Sequence, residues 1–235
     1  MSWKIPHMWE GADVWIIGGG PSIITQFGIP DSIVQDVLTG KQPMSAYSPY
    51  MSSIHNKHVI GVNATYALGD WIDICFYGDN NFYLQYREHL ALFPNLKVTC
   101  HDSGLSQPWL KVVGKDYEHP KGISTRSDRV SWNGNSGAAA ISLAAWTGAK
   151  RILLLGFDMK LNENKRQHFH DVYHRGEIKE EQRLMKLPFD KHLRGFAQIK
   201  IDATHLGIQI INVNPDSAIP EFPKMSLKEV LNGSS

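Results

Sequence analysis

Short, unbroken apolar runs alternate along the chain with longer stretches in which apolar positions recur every three or four residues. The first pattern marks strands buried on both faces, and the second marks helices. Their alternation predicts an α/β, Rossmann-like fold: a mostly parallel sheet flanked by helices. The first run is Asp13–Ile17 (DVWII), which passes straight into Gly18-Gly19-Gly20-Pro21-Ser22. A helix over Asp31–Leu38 follows, with Asp31 as N-cap and Gly40 as stop. Strands are expected over 57–63, 72–77 and 96–100, with a helix over 82–93 ended by Pro94. Residues 102–132 hold no sustained period and leave room for short strands only.

The pattern then sharpens. Asn133-Gly134-Asn135-Ser136-Gly137 opens an alanine-rich helix that runs through Trp146 and is closed by Gly148. Its face of Ala138, Ala139, Ala140, Ala144 and Ala145 is small enough to lie close against a sheet. Arg151–Leu155 (RILLL) is the most apolar strand and is expected at the sheet's centre. Residues 160–187 are strongly polar and read as a lid or insertion at the sheet edge. One helix is expected over 189–206, a last strand over 208–213 and a short helix over 226–231. The whole chain, 1–235, is expected to be one Rossmann-like domain carrying the 160–187 insertion.

Composition narrows the class. Hydrophobic residues make up 42% of the 235 and include 7 Trp, enough for a large core. With 24 Lys+Arg against 23 Asp+Glu, the net charge of +1 offers no general grip on nucleic acid or a membrane. No apolar stretch approaches the ~18 residues of a membrane span. Cys75 and Cys100 each sit in or beside an apolar run and read as buried thiols, which points to a reducing cytoplasm.

Ligands of open parallel sheets bind beyond the carboxyl ends of the strands, where the strand order switches direction. Polar and small residues gather at these junctions: Gly18, Gly19, Gly20, Pro21 and Ser22; Asn63; Asp79; Asn135, Ser136 and Gly137; and Asp158. Glycines allow close backbone approach to a phosphate, and a helix start favours an anion. The triple glycine lacks the spacing of a dinucleotide fingerprint and the Lys of a phosphate-binding P-loop. Each junction also has a plainer reading: a tight turn for the glycines, a helix cap for Asn135 or Ser136, a turn cap for Asp158 or Asp79. The insertion contributes His168, His170, Asp171, Tyr173, His174 and Arg175. If helical, His170 and His174 share one face. The cluster suits a general base, a zinc or manganese ion, or a solvated charged surface.

In their order these motifs resemble those of the bacterial sialyltransferases of glycosyltransferase family 42 and the related 6-hydroxymethylpterin pyrophosphokinase-like proteins. The matching residues are Gly18 to Ser22, Val62-Asn63-Ala64-Thr65-Tyr66, Ser136-Gly137 and Gly156-Phe157-Asp158. Gly19 stands where the family usually has Asn, and Met159-Lys160 where it commonly has Tyr. The resemblance implies a Rossmann-like domain that binds a nucleotide-activated donor. Gly18, Gly19, Gly20, Pro21, Ser22, Asn135, Ser136 and Gly137 would hold the phosphate, and Asn63, Asp79 and Asp158 would orient nucleotide or sugar. A lid histidine, His170 first and then His168 or His174, would deprotonate a hydroxyl acceptor, with Tyr173 at the departing phosphate. The donor implied is a CMP-sugar or another nucleotide sugar, with the need for Mg²⁺ left open. The alternatives are an Mg²⁺-dependent pyrophosphokinase acting with ATP on a small alcohol, with Asp79 and Asp158 as ligands; a non-catalytic nucleotide-binding module; and a metal-dependent hydrolase built on the histidines. The partners implied are a small-molecule donor and acceptor, and the alanine face and seven Trp leave a homo-oligomer open.

Overall fold

A computed structural model describes residues 2–101, 107–170 and 187–233. Its centre is a sheet of seven parallel strands: β1 (Asp13–Ile17), β2 (His58–Val62), β3 (Ile74–Tyr77), β4 (Leu96–Thr99), β5 (Leu110–Val112), β8 (Arg151–Leu155) and β9 (Gln209–Asn212). β6 (Gly114–Lys115) and β7 (Arg129–Val130) form a separate two-stranded parallel pair. The main sheet runs β5-β4-β3-β2-β1-β8-β9. The chain therefore builds outward from β1 to β5, then returns to the other side of β1. The order switches between β1 and β8.

Alternation within each strand explains the unbroken apolar runs. Val14 and Ile16 of β1 join one core layer with Ile60, Ile152 and Leu154, while Trp15 and Ile17 join the other with Val59, Leu153 and Leu155. The first layer is closed by α4 (Ser136–Trp146) and α6 (Phe196–His205). The second is closed by α1 (Ser22–Gln26), α2 (Asp31–Leu38), α3 (Asn80–Leu92), α7 (Leu227–Asn232) and two 3-10 helices, Met44–Ile54 and Asn63–Leu68. Both cysteines are buried thiols. At the strand starts, Asp13 and Arg151 are register partners, and the guanidinium Nε donates to Asp13 Oδ1 over 2.9 Å.

Three expectations are corrected. β8 is not central: it lies between β1 and β9, one strand in from the edge, and owes its apolar character to cover on both faces. The alanine face of α4 is spent inside the fold, with Ala138, Ala139, Ala140 and Ala144 fully buried, so it is not spare surface for an oligomer. The expected helix over 189–206 is two, α5 (Phe189–Leu193) and α6. They part at Gly195, where an added Cβ would stand 2.6 Å from Cβ of Asn133 and 2.7 Å from its carbonyl oxygen. Among the described residues, no helix is long and apolar enough to cross a membrane.

The Gly195 contact gives a sharp test. Alanine at a helix position ordinarily gains about 0.5–1 kcal/mol over glycine. Here Gly195→Ala is expected to destabilise by about 1–3 kcal/mol through overpacking on Asn133. Urea denaturation reads the sign, and a stabilised variant contradicts the packing described.

Candidate functional site

Beyond the carboxyl ends of β1 and β8 lies a cavity of about 320 Å³. Its walls come from every junction the sequence singles out: Gly18 and Gly19 after β1, Asn63 after β2, Asp79 after β3, Asn135 to Gly137 at the start of α4, and Gly156 and Phe157 after β8. Trp132, Met159, Lys191 and His192 complete it. A second hollow of about 360 Å³, bounded by Tyr66, Tyr86 and His89, lies among the helices and receives none of these strand-end groups.

The glycine loop is built differently from the expected phosphate cradle. Gly18 N–H donates to Leu155 O and Gly20 N–H to Gly156 O, both over 2.8 Å, so two of its three amides are spent on β8. The missing side chains make room for protein. A Cβ on Gly18 would stand 2.8 Å from Gly156 O, one on Gly20 would stand 2.6 Å from the Asp158 carboxyl carbon, and one on Gly19 would stand 2.7 Å from His168 Nδ1. Gly137 likewise leaves space for the Phe157 ring, 3.0 Å from its Cβ position.

Asp158 and Ser22 form the clasp behind this loop. Ser22 donates its N–H to Asp158 Oδ2 (2.8 Å) and its hydroxyl to Oδ1 (2.5 Å), and Asn214 Nδ2 donates to Oδ1 (2.9 Å). The carboxylate is buried and does not line the cavity, so its oxygens are engaged inside the protein rather than offered to a ribose or a metal. Burial pushes its pKa up, opposed by the hydrogen bonds from Ser22 and Asn214. Pro21, at the N-cap of α1, and Ser22 thus act as framework.

Asn135 resolves its two readings into one arrangement. Its Oδ1 caps α4 by accepting from Ala138 N–H (2.8 Å), and its Nδ2 donates to the carbonyl of His192 (3.2 Å). Both ends of the amide are occupied, and it positions rather than binds. The first-turn N–H groups of Ser136 and Gly137 have no partner within a helix by geometry, and no described group takes them. With Gly19 N–H they are open backbone donors of the cavity wall. Asp79 caps α3 by accepting from Asn81 N–H (2.8 Å) and lines the cavity as well.

Backbone strain gathers at the same place. Asn63 (φ 53°) and Met159 (φ 50°) adopt the left-handed conformation and line the cavity, and Asn133 (φ 55°) sits between the lining residues Trp132 and Gly134. Left-handed geometry costs a non-glycine residue about 1–2 kcal/mol and persists where its surroundings over-determine it, often at functional sites. The buried Oδ1 of Asn63 has no hydrogen-bond partner, an acceptor left over by the fold.

The lid histidines stand against the glycine loop, with His168 Nδ1 2.7 Å and His170 Nε2 3.5 Å from the Cβ position of Gly19. His168 and His170 lie on a bent, non-helical stretch, their rings stacked with centroids 5.3 Å apart. Phe169 between them donates its N–H to Gly19 O over 3.0 Å. His170 is only 2% exposed, and neither imidazole lines the cavity. Asp171, Tyr173, His174 and Arg175 fall outside the described residues. Among the described residues, no group of three or more His, Cys, Asp or Glu is placed to hold a metal ion.

The histidine at the cavity is His192, which sequence reasoning passes over, as it does Lys191 and Trp132. Burial lowers the His192 pKa, and the neighbouring Lys191 charge lowers it further, favouring the neutral, proton-accepting imidazole. The one signal in the sequence is its place in the first turn of the helix expected over 189–206, directly after the polar insertion.

No family model and no curated protein matches the sequence. Among solved structures the fold is similar to that of the sialyltransferase CstII from Campylobacter jejuni in complex with cytidine-5'-monophosphate. The TM-score is 0.50 at 15% identity, covering 92% of this chain and 86% of that one. The CstII complex with CMP-3FNeuAc gives 0.50 at 17%, with the same coverage. The Maf glycosyltransferase from Magnetospirillum magneticum gives 0.59 at 10%, covering 99% of this chain, which spans 37% of that one. The shared feature is the α/β fold with its seven-stranded parallel sheet.

The clasp predicts a pH signature. Because the folded Asp158 pKa is raised, its contribution to stability is complete below the unfolded carboxyl pKa and is lost as pH rises through the folded value. Asp158→Ala is expected to cost about 1–3 kcal/mol by stranding the Ser22 and Asn214 donors. The gap from wild type should be widest in acid and narrow as pH rises. Urea titrations of both proteins between pH 3 and 8 check the direction.

Proposed function

We propose that the protein is a glycosyltransferase that moves a sugar from a nucleotide-activated donor to a hydroxyl acceptor, with His192 as the general base. The observation that carries this reading is the convergence, in one cavity at the switch point, of the α4 first-turn N–H groups with a histidine whose pKa burial lowers. The likeness of the fold to CstII, held with CMP and with CMP-3FNeuAc, and to the Maf enzyme supports it.

In this reading the N–H groups of Ser136, Gly137 and Gly19 face the donor phosphate. Asn63 Oδ1 and the Asp79 carboxylate, both acceptors, take donor groups of the ribose or base. His192 removes the acceptor proton as the acceptor oxygen bonds to the anomeric carbon. The bond from that carbon to the phosphate oxygen breaks, and its electron pair leaves with the nucleotide. Asn135 holds the His192 backbone and so sets where the imidazole stands relative to the α4 N–H groups.

A thermal-shift panel of CMP, CDP, UDP, GDP, ADP and ATP, each with and without Mg²⁺, tests the donor. Stabilisation by a nucleotide without metal supports glycosyl transfer, whereas a response to ATP with Mg²⁺ alone turns the assignment to a pyrophosphokinase. At about 100-fold over its dissociation constant the ligand should add about 2.7 kcal/mol. For the base, His192→Asn is expected to slow transfer by about 10²–10⁴-fold while nucleotide binding persists. Since the His192 pKa is lowered, the acid limb of kcat/KM should fall below the ordinary imidazole value near 6.5, with activity lost as pH drops through it. A limb unchanged in the variant removes His192 from the role.

A further inference from the structure

We propose that Lys191 is the group that neutralises the departing nucleotide phosphate. This rests on the glycosyl-transfer reading above and deepens it by naming the charge that the leaving group meets. The residues lining the cavity include two with formal charge, Asp79 and Lys191. Asp79 caps α3 at the end of β3. Lys191 stands beside the α4 start: its Cγ lies 3.9 Å, and its carbonyl oxygen 3.4 Å, from the Cβ position of Gly134, two residues before Ser136. The Lys191 backbone and the root of its side chain thus stand at the end of the cavity that also holds Ser136, Gly137 and His192, within the reach of a flexible ammonium.

The charge at Lys191 is not engaged elsewhere. Two other lysines show the contrast: Lys160 Nζ pairs with Asp216 over 3.0 Å, and Lys97 Nζ donates to Phe93 O over 2.5 Å. Among the described residues Lys191 forms no ion pair or hydrogen bond through its side chain. It is exposed at the mouth, where an ammonium costs little to hold and where salt screens it in the empty protein.

The reaction creates the need for it. When the anomeric carbon–oxygen bond breaks, the electron pair stays on the phosphate oxygen and the nucleotide gains a negative charge. The acceptor proton passes to His192, so the site must hold a new anion and a new imidazolium together. An ammonium between open N–H groups and that phosphate supplies charge-assisted hydrogen bonds as the bond lengthens. The sequence offers Met159-Lys160 after Asp158, and Lys160 is already paired with Asp216, so the cation comes from α5 instead.

Calorimetric titration of wild type, Lys191→Ala and Lys191→Arg with CMP, the nucleotide held by CstII, and with cytidine, both in EDTA, tests the assignment. Wild type is expected to bind CMP at least about tenfold more tightly than cytidine, with that advantage shrinking as salt rises. Lys191→Ala should lose about tenfold in CMP affinity and leave cytidine unchanged, and Lys191→Arg should keep most of the CMP affinity. A Lys191→Ala protein that binds CMP like wild type, or that loses CMP and cytidine equally, overturns the role of Lys191 alone. A wild type that binds neither CMP nor UMP, GMP and AMP in the same series overturns the glycosyl-transfer reading and Lys191 with it.

Discussion

The structure depends on how the chain leaving β1 is laced to the chain leaving β8. Two backbone hydrogen bonds, Gly18 N–H to Leu155 O and Gly20 N–H to Gly156 O, carry the ladder past the strand ends. The Asp158 carboxylate then takes both donors of Ser22 and one of Asn214. These contacts fix the start of α1, the floor of the cavity and the path of the chain after β9. They also explain two of the three glycines, since a Cβ on Gly18 or on Gly20 would collide with Gly156 O, while one on Gly19 would meet His168 instead.

On this floor the polar groups of the cavity come from segments that share no local structure. Asn63 follows β2, Asp79 follows β3, Ser136 and Gly137 begin α4, and Lys191 and His192 end α5. Asn135 connects two of these segments through one side-chain amide. A short helix without a side-chain cap of its own is thereby held in register with the end of a buried one.

Much of this was legible along the chain because it is local. Strands buried on both faces betray themselves as apolar runs, and the small and polar residues at their ends mark the junctions where the cavity lies. What local pattern cannot reveal is which polar atoms the fold consumes. Asp158 and two of the glycine amides read as ligand groups but are engaged internally, because their partners, Asn214 and the β8 carbonyls, are remote in sequence. The density of histidines at 168–174 drew attention from His192, whose significance depends on where α5 is docked. The break at Gly195 was hidden because apolar spacing continues across it, and the obstruction, Asn133, lies on another segment.

The docking of α5 has a consequence for how the protein can change over evolutionary time. Among the described residues, the contacts that set His192 run through Asn135 to its carbonyl and through Gly195 seated on Asn133, both on the segment that opens α4. Asn133 and Asn135 thus tie the floor of α5 and the first turn of α4 to one short stretch of chain. Selection acting on this stretch therefore acts on two helices at once, and a lineage that changes Asn135 must re-seat α5 as well as re-cap α4.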